Sequence, residues 1–141
     1  MTTVVIDTSV VVSWFLPDEK QGKYSDIYRN INEYEIHVPQ IFYYEFCNVL
    51  AMAEKRKRID LKTLSSILEI VWRLPIQVDP VDTLSAPDYF ENVMSATAAY
   101  SLTTYDAAYI ELACRLGSVP LLTYDRALIE VAKKIKLRAD H

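Results

Sequence analysis

At 141 residues, 51% hydrophobic and 24% charged, the chain has the size and composition of one folded domain spanning residues 1–141, not of a disordered segment. No apolar run approaches the ~20 residues that cross a bilayer, and no basic segment followed by a cleavable apolar stretch opens it, so a cytoplasmic protein with no membrane contact is expected. A net charge of −4 argues against broad nucleic-acid binding, and two glycines are too few for a G-x-G-x-x-G or a G-x-x-x-x-G-K-[ST] phosphate loop.

Thr3 to Ile6 reads as a short buried strand. Thr8 or Ser9 then caps a helix that runs to about Leu16 and stops at Pro17. Tyr24, Ile27, Tyr28 and Ile31 recur at helical spacing, which predicts a second helix over Lys20 to Ile31. Glu35 to Val38 is a second strand, ended by Pro39. A long helix is expected from Gln40 to Lys57, with Phe42, Phe46, Val49 and Ala53 as its apolar stripe. Another follows from Leu61 to Leu74, burying Leu64, Ile67, Leu68, Val71 and Trp72.

Pro75 and Pro80 bracket a strand at Ile76 to Val78, and residues 79–87 read as a loop. Helices over Asp88 to Tyr100 and Thr104 to Leu116 come next, with Gly117 as a helix C-cap. Pro120 to Thr123 is a strand, Asp125 to Lys134 a helix, and Lys136 to Ala139 a last edge strand. Short apolar strands separated by helices imply an α/β fold, a parallel sheet covered on both faces.

Four acids stand beside or inside apolar runs. Asp7 ends Val4-Val5-Ile6, and Glu45 interrupts Ile41-Phe42-Tyr43-Tyr44-Glu45-Phe46. Asp106 opens Asp106-Ala107-Ala108-Tyr109-Ile110, and Asp125 follows Leu121-Leu122-Thr123-Tyr124. An ionised carboxylate in such a setting costs several kcal/mol unless it is paired or binds a metal. No Lys or Arg adjoins Asp7, Glu45 or Asp106 in the sequence, and clustered acids without cations suit a hard cation. Asp7 and Asp125 fall where a strand ends and a helix begins, the position at which parallel sheets bind ligands. Each acid also has a simpler reading. Asp7 and Asp125 fit ordinary N-caps, Thr103-x-x-Asp106 fits a capping box, and Glu45 with Asn48 fits a satisfied polar pair.

Other features point elsewhere. Cys47 and Cys114 lack metal or redox spacing and read as small core residues. His37 and His141, the only histidines, are poor candidates for a Ser-His-Asp or Cys-His mechanism. Lys55-Arg56-Lys57-Arg58 and the group Lys133, Lys134, Lys136 and Arg138 read either as solvated helix ends or as local phosphate-steering patches.

The pieces Val5-Ile6-Asp7-Thr8-Ser9, Pro39 with Glu45-Phe46-Cys47-Asn48, Tyr105-Asp106-Ala107-Ala108-Tyr109, and Leu122-Thr123-Tyr124-Asp125-Arg126-Ala127-Leu128 together resemble the PIN-domain family. Within it the likeness is to the VapC-like toxin ribonucleases, in the order and intervals of the pieces across the whole chain. The resemblance implies a three-layer α/β/α fold with a short central parallel sheet. It also implies Mg²⁺- or Mn²⁺-dependent cleavage of RNA, leaving 3′-hydroxyl and 5′-phosphate ends. Asp7, Asp106 and Asp125 are then direct or water-mediated metal ligands, and Glu45 holds a second metal or orients the water. Thr8, Ser9, Asn48 and Thr123 are candidates to hydrogen-bond and aim those carboxylates. A small antitoxin protein across the active site, and a homodimer, are the implied partners. Two other readings stay open: an RNA-processing or DNA nuclease without an antitoxin, and a non-catalytic RNA-binding scaffold.

Overall fold

The computed structural model describes residues 1–16, 22–81 and 86–137. The sheet starts with β1 (Thr2–Ile6), whose Val4, Val5 and Ile6 are wholly buried. β-branched side chains of this kind favour an extended backbone with packing on both faces. Parallel to β1 on one side run β2 (Tyr34–Val38) and, beyond it, β3 (Ile76–Val78); on its other side lies β4 (Leu121–Leu122). The register pairs Val4 with Ile36, Ile6 with Leu122, and Ile36 with Ile76.

Strand alternation splits the core in two. Val4 and Ile6 join α1 (Thr8–Phe15), α3 (Phe42–Lys55) and α4 (Leu61–Trp72) on one face. Val5 joins α6 (Thr104–Arg115) and α7 (Arg126–Lys134) on the other. The result is three layers, α/β/α, as the family resemblance implies. Between β3 and α6, α5 (Pro87–Tyr100) buries only Val93 and leaves Phe90 and Met94 exposed. No helix among the described residues is long and apolar enough to cross a membrane.

Several sequence expectations need correction. In place of one helix to Ile31 there are a 3₁₀ turn at Gly22–Tyr24, a short α2 (Ser25–Arg29) and a 3₁₀ turn at Ile31–Glu33. The run ends at Asn30, the C-cap of α2, whose backbone N–H and side-chain amide both donate to the Asp26 carbonyl at 3.0 Å. The expected helix start at Lys20 lies outside the described residues. Trp72 is 75% exposed, touching Tyr43 with a 5.4 Å ring separation, instead of filling the core. Cys47 and Cys114 are exposed free thiols, not core residues, since both fall off the buried stripes of their helices. Lys136 takes a left-handed turn at φ +65° and begins no strand; residues 138–141 are outside the description.

Candidate active site

The strand order puts β1 between β2 and β4, so the chain leaves β1 in one direction and returns on its other side. Ligands of open parallel sheets bind at that reversal, outside the strand ends. Asp7 is the residue immediately after β1, and its N–H donates to the Leu122 carbonyl of β4 at 2.9 Å. One chain reversal thus brings Asp7 beside Thr123 and Asp125. The N-terminal half of α3 supplies Glu45, and the first turn of α6 supplies Asp106.

These four acids line one cavity of about 380 Å³, together with Thr8, Ser9, Val12, Val49 and Tyr124. Among the described residues that line it there is no Lys or Arg. The contrast with the other buried acids is sharp. Asp79 and Glu111 are buried too, but both bind Arg115: its Nη2 meets Asp79 Oδ2 at 2.5 Å and its Nε meets Glu111 Oε2 at 2.9 Å. Asp7 is the buried acid among the described residues that no cation contacts.

Neutral hydroxyls hold it instead. Ser9 and Thr123 both donate to Asp7 Oδ2, at 2.7 and 2.9 Å. Thr123 Oγ1 also accepts the Asp125 N–H at 2.9 Å, and Ser9 Oγ accepts the Tyr124 N–H at 3.0 Å. Asp125 caps α7, its Oδ1 accepting from the Leu128 N–H at 3.0 Å. Its capping role is therefore real, and it coexists with a place on the cavity wall. Asp7 occupies the cap position of α1 without making a side-chain cap bond. Thr103 caps α6 by accepting the Asp106 N–H at 3.1 Å.

Glu45 is fixed by a residue that sequence reasoning passed over. The Tyr109 hydroxyl donates to Glu45 Oε1 at 2.7 Å, and the Thr8 hydroxyl reaches the same oxygen at 3.3 Å. Tyr109 follows Asp106 by three residues, so both share one face of α6. A tyrosine in a small, aliphatic run was the available signal, because a buried phenol needs a polar partner. Asn48 is exposed and does not line the cavity; Val49, a full turn beyond Glu45, takes that wall.

The electrostatics match a pocket crowded with acids. Burial pushes the Asp7 carboxyl up, against the opposing pull of Ser9 and Thr123. Burial also raises Glu45, and the charges of Asp7 and Asp106 add to it. Asp106 is pushed up to about 6 by burial and then by the charges of Asp125 and Asp7. Burial and the nearby Asp7 and Glu45 charges raise the Tyr109 phenol, which stays a donor. Among the described residues no group of three or more His, Cys, Asp or Glu side chains stands ready to hold a metal ion directly. An all-oxygen donor set with room beside it does fit Mg²⁺ or Mn²⁺, which keeps waters and takes only one or two carboxylates.

A family model described as PIN domain matches residues 4–134. No curated protein sequence matches the chain. Among solved structures, PAE2754 from Pyrobaculum aerophilum is similar at a TM-score of 0.66 and 20% identity, covering 99% of this chain and 90% of that one. VapC20 of Mycobacterium tuberculosis, described as a toxin that cleaves the sarcin-ricin loop, matches at 0.64 and 12% identity, over 91% and 94% of the two chains. VapBC2 from Rickettsia felis, bound to a DNA fragment from its promoter, matches at 0.62 and 13% identity, over 99% and 98%. At these identities the likeness is one of fold.

Proposed function

Because the chain belongs to the PIN-domain family, we propose that it is a metal-dependent endoribonuclease and the toxin of a toxin–antitoxin pair. The observation that carries this reading is the meeting of Asp7, Glu45, Asp106 and Asp125 in one cavity that no described Lys or Arg lines. Such a pocket repels an RNA phosphate unless a divalent cation sits there. Asp7, Asp106 and Asp125 would hold Mg²⁺ or Mn²⁺ directly or through water. A bound cation supplies a water of lowered pKa and neutralises phosphate charge.

The remaining work belongs to the chain. Ser9 and Thr123 keep Asp7 aimed and, as donors, favour its charged form against the effect of burial. Glu45 is held through Oε1, and no described residue bonds its Oε2, which would orient the attacking water. Attack at phosphorus with departure of the 3′ oxygen leaves 3′-hydroxyl and 5′-phosphate ends. Val12, Val49 and Tyr124 narrow the cavity beside the acids.

The partners follow from the same surface. A cationic side chain from an antitoxin is strongly favoured among four acids, where it blocks the site. The exposed apolar Phe90, Met94 and Tyr105 on α5 and α6 offer area for a second copy of the chain, in keeping with a homodimer. The test is cleavage of RNA by the purified protein in Mn²⁺. Activity should stop with chelator and fall by orders of magnitude in Asp7→Asn. Equal cleavage by wild type and Asp7→Asn would assign the activity to a contaminant.

A further inference from the structure

We infer that one edge of α3, from Glu45 to Arg56, is the track on which an RNA strand leaves the cavity, with Arg56 gripping a phosphate away from the cleaved bond. This inference rests on the nuclease reading above. Helix α3 buries the stripe Phe42, Phe46, Leu50 and Ala53 against the sheet. At about 100° per residue, Glu45, Val49, Met52 and Arg56 form a separate narrow stripe along the edge of that buried face. Its first two members line the acid cavity. Met52 is partly open at 36%, and Arg56 is exposed. The stripe therefore leaves the cavity and ends at the helix terminus, about 16 Å on at 1.5 Å per residue. That reach spans a few nucleotides of single strand.

The end of the track is held in place. Lys57 adopts φ +61°, its N–H donates to Glu54 O at 2.9 Å, and the Arg58 N–H donates to Ala53 O at 2.8 Å. This paired closure fixes Arg56 at the C-cap. Arg29, Arg73 and Arg115 are each bound to acids, whereas the Arg56 guanidinium meets no acid among the described residues. A cation at a helix C-terminus is favoured by the macrodipole at any azimuth. The dipole does not account for its alignment with Glu45 and Val49. Between the two charged ends, Val49 and Met52 present apolar surface against which a base can lie. A protein of net charge −4 with an acidic pocket needs such a local cation to retain a polyanion.

The test uses the full chain and a fluorescently labelled oligouridine. Binding is followed by anisotropy in chelator over a salt series, and RNA cleavage is followed separately in Mn²⁺. Removing one phosphate contact should reduce the log–log salt slope by about 0.7 for a single strand. Arg56→Ala should show that reduction, bind several-fold more weakly, and raise KM with little change in kcat. Lys133→Ala, on α7, should keep the wild-type slope. An unchanged slope in Arg56→Ala, or an equal loss in Lys133→Ala, overturns the track while leaving the nuclease reading in place if wild type cleaves RNA. A wild type that cleaves no RNA in Mn²⁺ overturns the nuclease reading, and with it the track as a substrate path.

Discussion

The Tyr109 hydroxyl donates to Glu45 Oε1 at 2.7 Å and lies 3.1 Å from the Thr8 hydroxyl, tying the start of α1, α3 and α6 at one point. Tyr109 is wholly buried, so its ring cannot swing away. Tyr109→Phe removes only the donor. A hydrogen bond to a charged group contributes about 1.5–3 kcal/mol, and Glu45 keeps Thr8, so the stability loss should fall near the lower end. Groups that orient a metal site's carboxylates typically change affinity or activity by about 10–100-fold. The variant should therefore bind Mn²⁺ more weakly by calorimetry and cleave RNA more slowly. Wild-type values for both would reduce Tyr109 to a core residue.

Stability should depend on pH through Asp106. Its folded pKa, about 6, lies above its ordinary value of 3.8, so the fold favours the neutral acid. That stabilisation is fully present below the unfolded value and is lost as pH rises through the folded one. After discounting for partial exposure, the loss should be on the order of 1 kcal/mol. Asp7 and Glu45, both raised, act in the same direction. Denaturant midpoints in chelator should favour Asp106→Asn over wild type above that pKa, and the difference should vanish in mild acid. A difference that does not vary with pH would show that Asp106 feels no repulsion.

Much of this was legible in the residues. Val4-Val5-Ile6 followed by an acid marks a buried strand end, and it is an interior strand of the sheet, between β2 and β4. The helix expected from Leu61 to Leu74 on its apolar face is found at Leu61–Trp72, and the one expected from Thr104 to Leu116 at Thr104–Arg115. Tertiary relations were less legible. Helical periodicity puts Trp72 in the phase of Leu68, yet at the last residue of α4 it is exposed and meets only the Tyr43 ring among the described aromatic contacts. Asn48 shares a helix with Glu45, but Val49 faces the cavity. Tyr109 was missed because its partners, Thr8 and Glu45, are distant in sequence and meet only once the sheet has folded.

If the chain is a toxin, its expression alone should slow growth, and co-expression of a neighbouring small gene should restore it. Asp7→Asn should be harmless, because the variant keeps the hydroxyl partners of the site but loses the charge. Growth arrest by Asp7→Asn equal to that of wild type would place the toxicity outside this cavity.

The central claim is that four carboxylates form one cation site and are not four separate helix caps. The direct measurement is thermal melting of wild type and Asp106→Asn at neutral pH, first in chelator and then in Mn²⁺. In chelator Asp106→Asn should melt higher, by a stability gain of about 1 kcal/mol, because one of several repelling charges is gone. Mn²⁺ should raise wild type more than the variant, since a ligand of the folded state stabilises by mass action. A lower melting point for Asp106→Asn in chelator is what a lost charge–dipole interaction at the start of α6 would give. That result, with no Mn²⁺ stabilisation of wild type, would contradict the shared site and leave the four acids as independent caps.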